Sequence, residues 1–257
     1  MTRASVLCNF PWKFISASVL VVVLLGGTTP RGAELVPFRN IDASELNTEV
    51  NSTQETAAPT SPIVEAETSV ETEFRSAATA MGRGELQDAK KTFTAILARQ
   101  PQHLGSLINM GWVAQREKAW ADAEGYLKRA QVLAPENASV WLALGVVYLA
   151  QDKVDFALAA LSQTVALEPA NARGHRMLGL TLGRKEWYSA AEGELRRSLE
   201  LEPNDAGAHF NLAVIYLQRQ PAAIELARRH YHLSVDLGSA PDPKIDAILA
   251  QNNTSKS

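Results

Sequence analysis

Pro101, Pro135, Pro169 and Pro203 stand 34 residues apart, and the residues between them recur in step. A small residue falls at the eighth place of each period (Ala77, Gly111, Gly145, Gly179, Ala213), and Ala89, Ala123, Ala157 and Ala191 fall at the twentieth. A fixed period of this length marks stacked helical hairpins, because one hairpin alone cannot bury its apolar face. Apolar residues at helical spacing supply that face. Leu144, Leu178 and Leu212 lie on the first helix of a hairpin, and Phe93, Leu127, Leu161 and Leu195 answer from the second. Each proline ends a second helix, since it lacks an amide donor and clashes with the preceding turn. Asn137, Asn171 and Asp205 are placed to cap the helices that follow.

The third period shows the pattern most clearly, with Trp141, Leu144, Gly145, Tyr148, Ala157, Leu161 and Pro169. These residues resemble the tetratricopeptide repeat family, whose pattern is W-x2-L-G-x2-Y…A-x3-F…P. The resemblance implies an all-α fold: a right-handed superhelical solenoid of about five antiparallel helix pairs. The expected repeat region is 68–238, opened by a capping box at Thr68–Glu71 and divided into units 70–103, 104–137, 138–171, 172–205 and 206–238. The fifth unit places its small residue at Ala227, two positions late, with Pro221 in the turn. Insertion at a hairpin turn is tolerated, so the unit is kept. Residues 239–250 read as a short capping helix and 251–257 as a frayed tail.

The N-terminal part has a different character. Arg3 and Lys13 precede an apolar stretch from Ile15 to Gly27, shorter than the roughly 20 residues that span a bilayer. Residues 1–33 are therefore expected to be a signal peptide or, alternatively, an N-terminal membrane anchor, which makes the chain an exported one. From 34 to 67, Ser, Thr, Glu and Pro dominate, and Arg39 stands alone against seven acids: Glu34, Asp42, Glu45, Glu49, Glu55, Glu65 and Glu67. So little apolar surface predicts a disordered acidic linker.

Much chemistry is excluded. A formal charge of −3 carries no nucleic-acid footprint, and Cys8, the single cysteine, has no disulfide partner. No nucleophile–base, P-loop, dinucleotide or zinc-protease motif occurs, so neither catalysis nor a cofactor is expected. His175 and His209 share the fourth place of adjacent units and read as packing residues between helices. His230 and His232 are too close in sequence to share one helix face as metal ligands. Asn51 and Asn137 match the glycosylation acceptor pattern, which counts only in a glycosylating pathway.

The resemblance implies a concave groove lined by places 2, 5, 9, 12 and 13 of each first helix. In this sequence the first unit offers Phe74 and Met81, the second Ile108, Trp112, Gln115 and Arg116, and the third Leu142, Val146 and Leu149. The fourth offers Arg173, Arg176, Leu180 and Arg184, and the fifth Phe210, Val214, Leu217 and Gln218. The Asn that family members use at the ninth place to clamp a C-terminal carboxylate is replaced by Ala78, Trp112, Val146, Leu180 and Val214. The expected function is a protein-binding scaffold whose apolar groove has a basic end and takes an amphipathic segment with acidic residues. An alternative is that these residues pack against one another, or under the N-terminal linker. A second class is a homo-oligomer, using the charge-poor second helix of the third unit, where Phe156, Ala159, Ala160, Gln163 and Ala166 occupy outward places. Membrane contact is expected only through an uncleaved anchor.

Overall fold

A computed structural model of the chain describes residues 62–254; the leader with Cys8, the linker up to 61, the Asn51 acceptor site and the tail at 255–257 lie outside the described residues. Among the described residues there are eleven helices and no strand. They pair as α1 (Pro62–Gly82) with α2 (Leu86–Arg99), α3 (Leu104–Arg116) with α4 (Trp120–Leu133), and α5 (Ala138–Ala150) with α6 (Val154–Leu167). Then α7 (Ala172–Arg184) pairs with α8 (Tyr188–Leu201) and α9 (Ala206–Gln218) with α10 (Ile224–Asp236), before α11 (Pro243–Thr254) closes the stack. The first helices α1, α3, α5, α7 and α9 also touch their successors, which builds the right-handed solenoid. α1 starts at Pro62, ahead of the expected capping box. Proline is tolerated there because the amide of a first-turn residue has no helical partner in any case.

The small residues explain the pairing. A Cβ placed on Gly111 would sit 2.6 Å from Cγ of Leu127, one on Gly145 2.5 Å from Cγ of Leu161, and one on Gly179 2.7 Å from Cγ of Leu195. Each leucine fills the space its glycine leaves, and all three are 0% exposed. Burial of a side chain of this size stabilises the fold by about 1.5–3 kcal/mol. Phe93 and Tyr231 hold the matching places of the terminal units, and both are buried. The insertion in the fifth unit is absorbed between α9 and α10, where Ala223 N–H donates to the Tyr216 carbonyl and Ala227 keeps its buried place.

The predicted caps are present. Asn137 accepts from Val140 N–H, Asn171 from Gly174 N–H and Asp205 from Ala208 N–H. His103 caps α3 in the same way, its Nδ1 accepting from Ser106 N–H at 3.1 Å. The four second helices preceding a repeat proline all stop two residues before it, at Arg99, Leu133, Leu167 and Leu201. At the C-terminal end, Asp242 caps α11, and Ile245 and Leu249 are buried in the core.

Candidate functional site: the concave face

The fourth place of three units turns out to be a lock on the turn before it. Trp141 Nε1–H donates to the Pro135 carbonyl at 2.7 Å, while His175 Nε2 lies 3.0 Å from the Pro169 carbonyl and His209 Nε2 3.1 Å from that of Pro203. A carbonyl only accepts, so each histidine carries a proton on Nε2. His175 and His209 thus do more than pack: they tie each proline turn to the next helix. The other face of the His209 ring stacks on His230, with centroids 5.1 Å apart and the two Nδ1 atoms at 2.9 Å. With Nε2–H directed at Pro203, His209 meets His230 through Nδ1, so only one of the two facing Nδ1 atoms carries a proton. Burial, then the positive potential of His209, Arg229 and Arg196, pushes the His230 imidazole down to about 4.

The predicted groove residues separate into two groups. Leu149, Leu180, Phe210 and Val214 belong to the continuous apolar core and are at most 3% exposed. Leu142 is buried in the same core, and Met81 in a second cluster with Val70, Ala77 and Phe93 at the first unit. An open trough along all five units is therefore too generous a description. Ile108, Val146 and Leu217 keep partial exposure against the continuous core, and Trp112 keeps it against the first-unit cluster. Phe74 is wedged between Phe93 and His103, with centroid distances of 5.8 and 5.0 Å, and a Cβ on Gly105 would strike its ring.

The basic end needs a similar correction. Arg176 is 8% exposed, and its Nε lies 3.0 Å from Asp205, the cap of α9. Gly207 leaves room for its guanidinium, which a Cβ there would strike. Arg176 thus stitches α7 to α9, which the spacing in the sequence did not disclose because its partner lies in the next unit. Arg184 donates to the Leu149 carbonyl at 3.2 Å and pairs with Asp152. Arg173 sits half-buried in the first turn of α7. Arg116 lies over the Trp112 ring, its guanidinium carbon 4.9 Å from the centroid, and Gln218 is half-buried at the end of α9.

One cluster stands out chemically. Trp112, Gln115 and Arg116 fall at i, i+3 and i+4 and so share a face of α3. Gln115 is 4% exposed, yet neither its Nε2 nor its Oε1 has a hydrogen-bond partner, and Trp112 Nε1–H also lacks one. Each such group costs about 1–3 kcal/mol when left unsatisfied. An amide and an indole N–H beside an aromatic face and a guanidinium can satisfy a peptide backbone and hold an acidic side chain. On α6, Phe156 is 63% exposed and Ala159, Gln163 and Ala166 are exposed as expected, but Ala160 is buried against the core. Among the described residues no group of three His, Cys, Asp or Glu side chains could hold a metal ion, and no helix is long and apolar enough to cross a membrane.

Paired helices in register, small residues at the close crossings and first helices that touch their successors define an α-solenoid, a fold that supports protein–protein interaction. The chain belongs to the tetratricopeptide repeat family. Residues 62–168 match the middle TPR-like domain of cilia and flagella-associated protein 70, and residues 176–236 match the tetratricopeptide repeat. The curated relatives include a BBSome complex member BBS4 homolog from Drosophila melanogaster, 23% identical over 172 residues, and the human protein O-mannosyl-transferase TMTC3, 24% identical over 151 residues. Those matches cover 53% and 57% of this chain but only 35% and 16% of the relatives. Similar solved structures include MamA from Desulfovibrio magneticus RS-1, at 19% identity and TM-score 0.59, covering 65% of this chain and 94% of that one. YrrB, described as a TPR protein with an unusual peptide-binding site, aligns at 20% identity and TM-score 0.56 over 71% of this chain and 90% of its own. Pseudomonas aeruginosa PilF aligns at 20% identity and TM-score 0.60, covering 68% and 79%. At these identities the likeness establishes the fold.

Proposed function

We propose that this chain is an exported, non-catalytic scaffold whose concave face binds an amphipathic protein segment carrying acidic residues. The observation that carries the reading is the buried, unsatisfied Gln115 amide beside the Trp112 indole N–H, both on one face of α3. A bound backbone relieves that cost, apolar side chains meet Ile108, Trp112 and Val146, and the partner's carboxylates meet Arg116 and Arg173. Aromatic and Arg anchors of this kind dominate interface energies. YrrB's peptide-binding site lends support by analogy of fold. Export rests on the basic, short apolar leader at 1–33. A reporter active only outside the cytoplasm, fused to residues 1–40, should give signal, and silence with normal expression would remove that part of the reading.

Binding is tested by calorimetric titration of an acidic amphipathic peptide. Trp112→Ala should weaken binding by on the order of 2 kcal/mol at both low and high salt. Arg173→Glu should weaken it mainly at low salt, where charge–charge attraction is least screened. Arg173 is chosen over Arg176 because reversing Arg176 would also set a like charge against Asp205 and loosen α9. Unchanged affinity in both variants would overturn the proposal.

A further inference from the structure

The second helices turn one side to the first helices and leave the other open, and the repeat puts the same places outward on each. On α4 these are Asp122, Gly125 and Arg129, at i, i+3 and i+7; on α6 they are Phe156, Ala159 and Gln163, and all six are exposed. The middle place is small in both, and on α8 it is Gly193. A Cβ on Gly125 or Gly193 would meet nothing within 4 Å, so the middle of this face is flat and uncovered. Its ends carry side chains that stand out. Among the described residues, Val132 on α4 and Phe156 on α6 are the most exposed of the large apolar side chains, at 75% and 63%. The Phe156 ring rests against Tyr148, with centroids 5.5 Å apart, so it is already held as a knob and loses little freedom on docking.

The two ends of the face complement each other. On α6 the knob stands at the N-terminal end, and the exposed Ala166 leaves a shallow place at the other. On α4 the acid Asp122 stands in the first turn and the base Arg129 two turns on; Arg129 gives one of its five N–H donors to the Pro101 carbonyl at 2.6 Å. We propose that this outward face is the contact surface for a second copy of the chain, packed antiparallel across Ala159. The pairing sets Phe156 over Gln163 and Ala166 of the other copy and brings Asp122 within reach of its Arg129, and each contact occurs twice about the twofold axis. The small middle places let the two layers approach closely, Phe156 anchors them, and the charges fix the direction. A parallel pairing would set acid against acid and knob against knob. The groove residues belong to the first helices, so self-association leaves them to another partner.

The experiment is sedimentation velocity of the full chain over a concentration series. The wild type should form a dimer, and Phe156→Glu should weaken its association by on the order of thirtyfold. Phe156 is mostly exposed, so the helical circular dichroism of this variant should match the wild type, which separates a lost contact from a lost fold. Asp122→Arg and Arg129→Asp should each weaken self-association by about tenfold at low salt. An equimolar mixture of the two should recover the wild-type value, since each reversed charge then meets its opposite on the other chain. A wild type that stays monomeric throughout, or a dimer that Phe156→Glu leaves intact, would overturn the proposal. Reversals that mixing does not rescue would overturn the antiparallel pairing.

Discussion

Glycines within one fold carry opposite expectations, and the distances decide their sign. Gly145 and Gly193 are both helical, and alanine favours a helix by about 0.8–1 kcal/mol in each. At Gly145 the new methyl would meet Leu161 at 2.5 Å, and overpacking of that kind costs about 1–3 kcal/mol. At Gly193 nothing lies within 4 Å. Gly145→Ala should therefore lower the midpoint of thermal unfolding, and Gly193→Ala should raise it; equal shifts would refute the close-crossing account. The glycines at close crossings were legible because they recur, and the Asn and Asp caps because they precede apolar runs. The His103 cap was not, since histidine is an unusual cap and only the geometry brings Nδ1 to Ser106. The locks of His175 and His209 on Pro169 and Pro203 escaped for a related reason: a ring six residues beyond a proline advertises no hydrogen bond until the turn is folded.

Among the elements, the α9–α10 pair depends most on pH. His230 on α10 has its folded pKa depressed to about 4, below the ordinary 6.5, by burial first and by His209, Arg229 and Arg196 after it; Glu192 opposes the shift. The unfolded chain thus binds the proton more readily than the folded one between these values. The stabilisation is fully present above about pH 6.5 and is lost as pH falls towards 4. Allowing for partial exposure, it is worth on the order of 2 kcal/mol. Glu124, held down to about 2 by Lys128 and Lys153, adds a loss only below the ordinary carboxylate range, so the two windows separate. His230→Gln keeps a side-chain donor for His209 and should flatten the decline in stability between pH 6.5 and 4 in denaturant titrations. An unaltered slope would rule out His230 as its source. The sequence placed helix ends at the prolines correctly because proline acts locally. It misplaced the start of α1, where Pro62 opens a helix in a stretch whose composition reads as linker, and it treated Arg176 as a free cation because Asp205 belongs to another unit.

Taken whole, the solenoid is a stack of near-identical layers whose identity at the crossings was written into the period of the sequence. Function sits where the layers differ. Trp112, Gln115 and Arg116 interrupt the repeat on α3, and the burial that leaves the Trp112 indole and the Gln115 amide unsatisfied comes from the folded stack, so no single unit announces it. The deep burial of Leu180, Phe210 and Val214 escaped for the same reason, because the spacing of one unit cannot show what an adjacent unit covers. The most direct measurement is nuclear magnetic resonance of the full chain, titrated with an acidic amphipathic peptide and read at the Trp112 indole N–H and the Gln115 side-chain amide. The account predicts that both signals shift, with backbone changes concentrated on α3, α5 and α7. Silent Trp112 and Gln115 signals, with changes confined to the exposed face of α6 around Phe156, would contradict it.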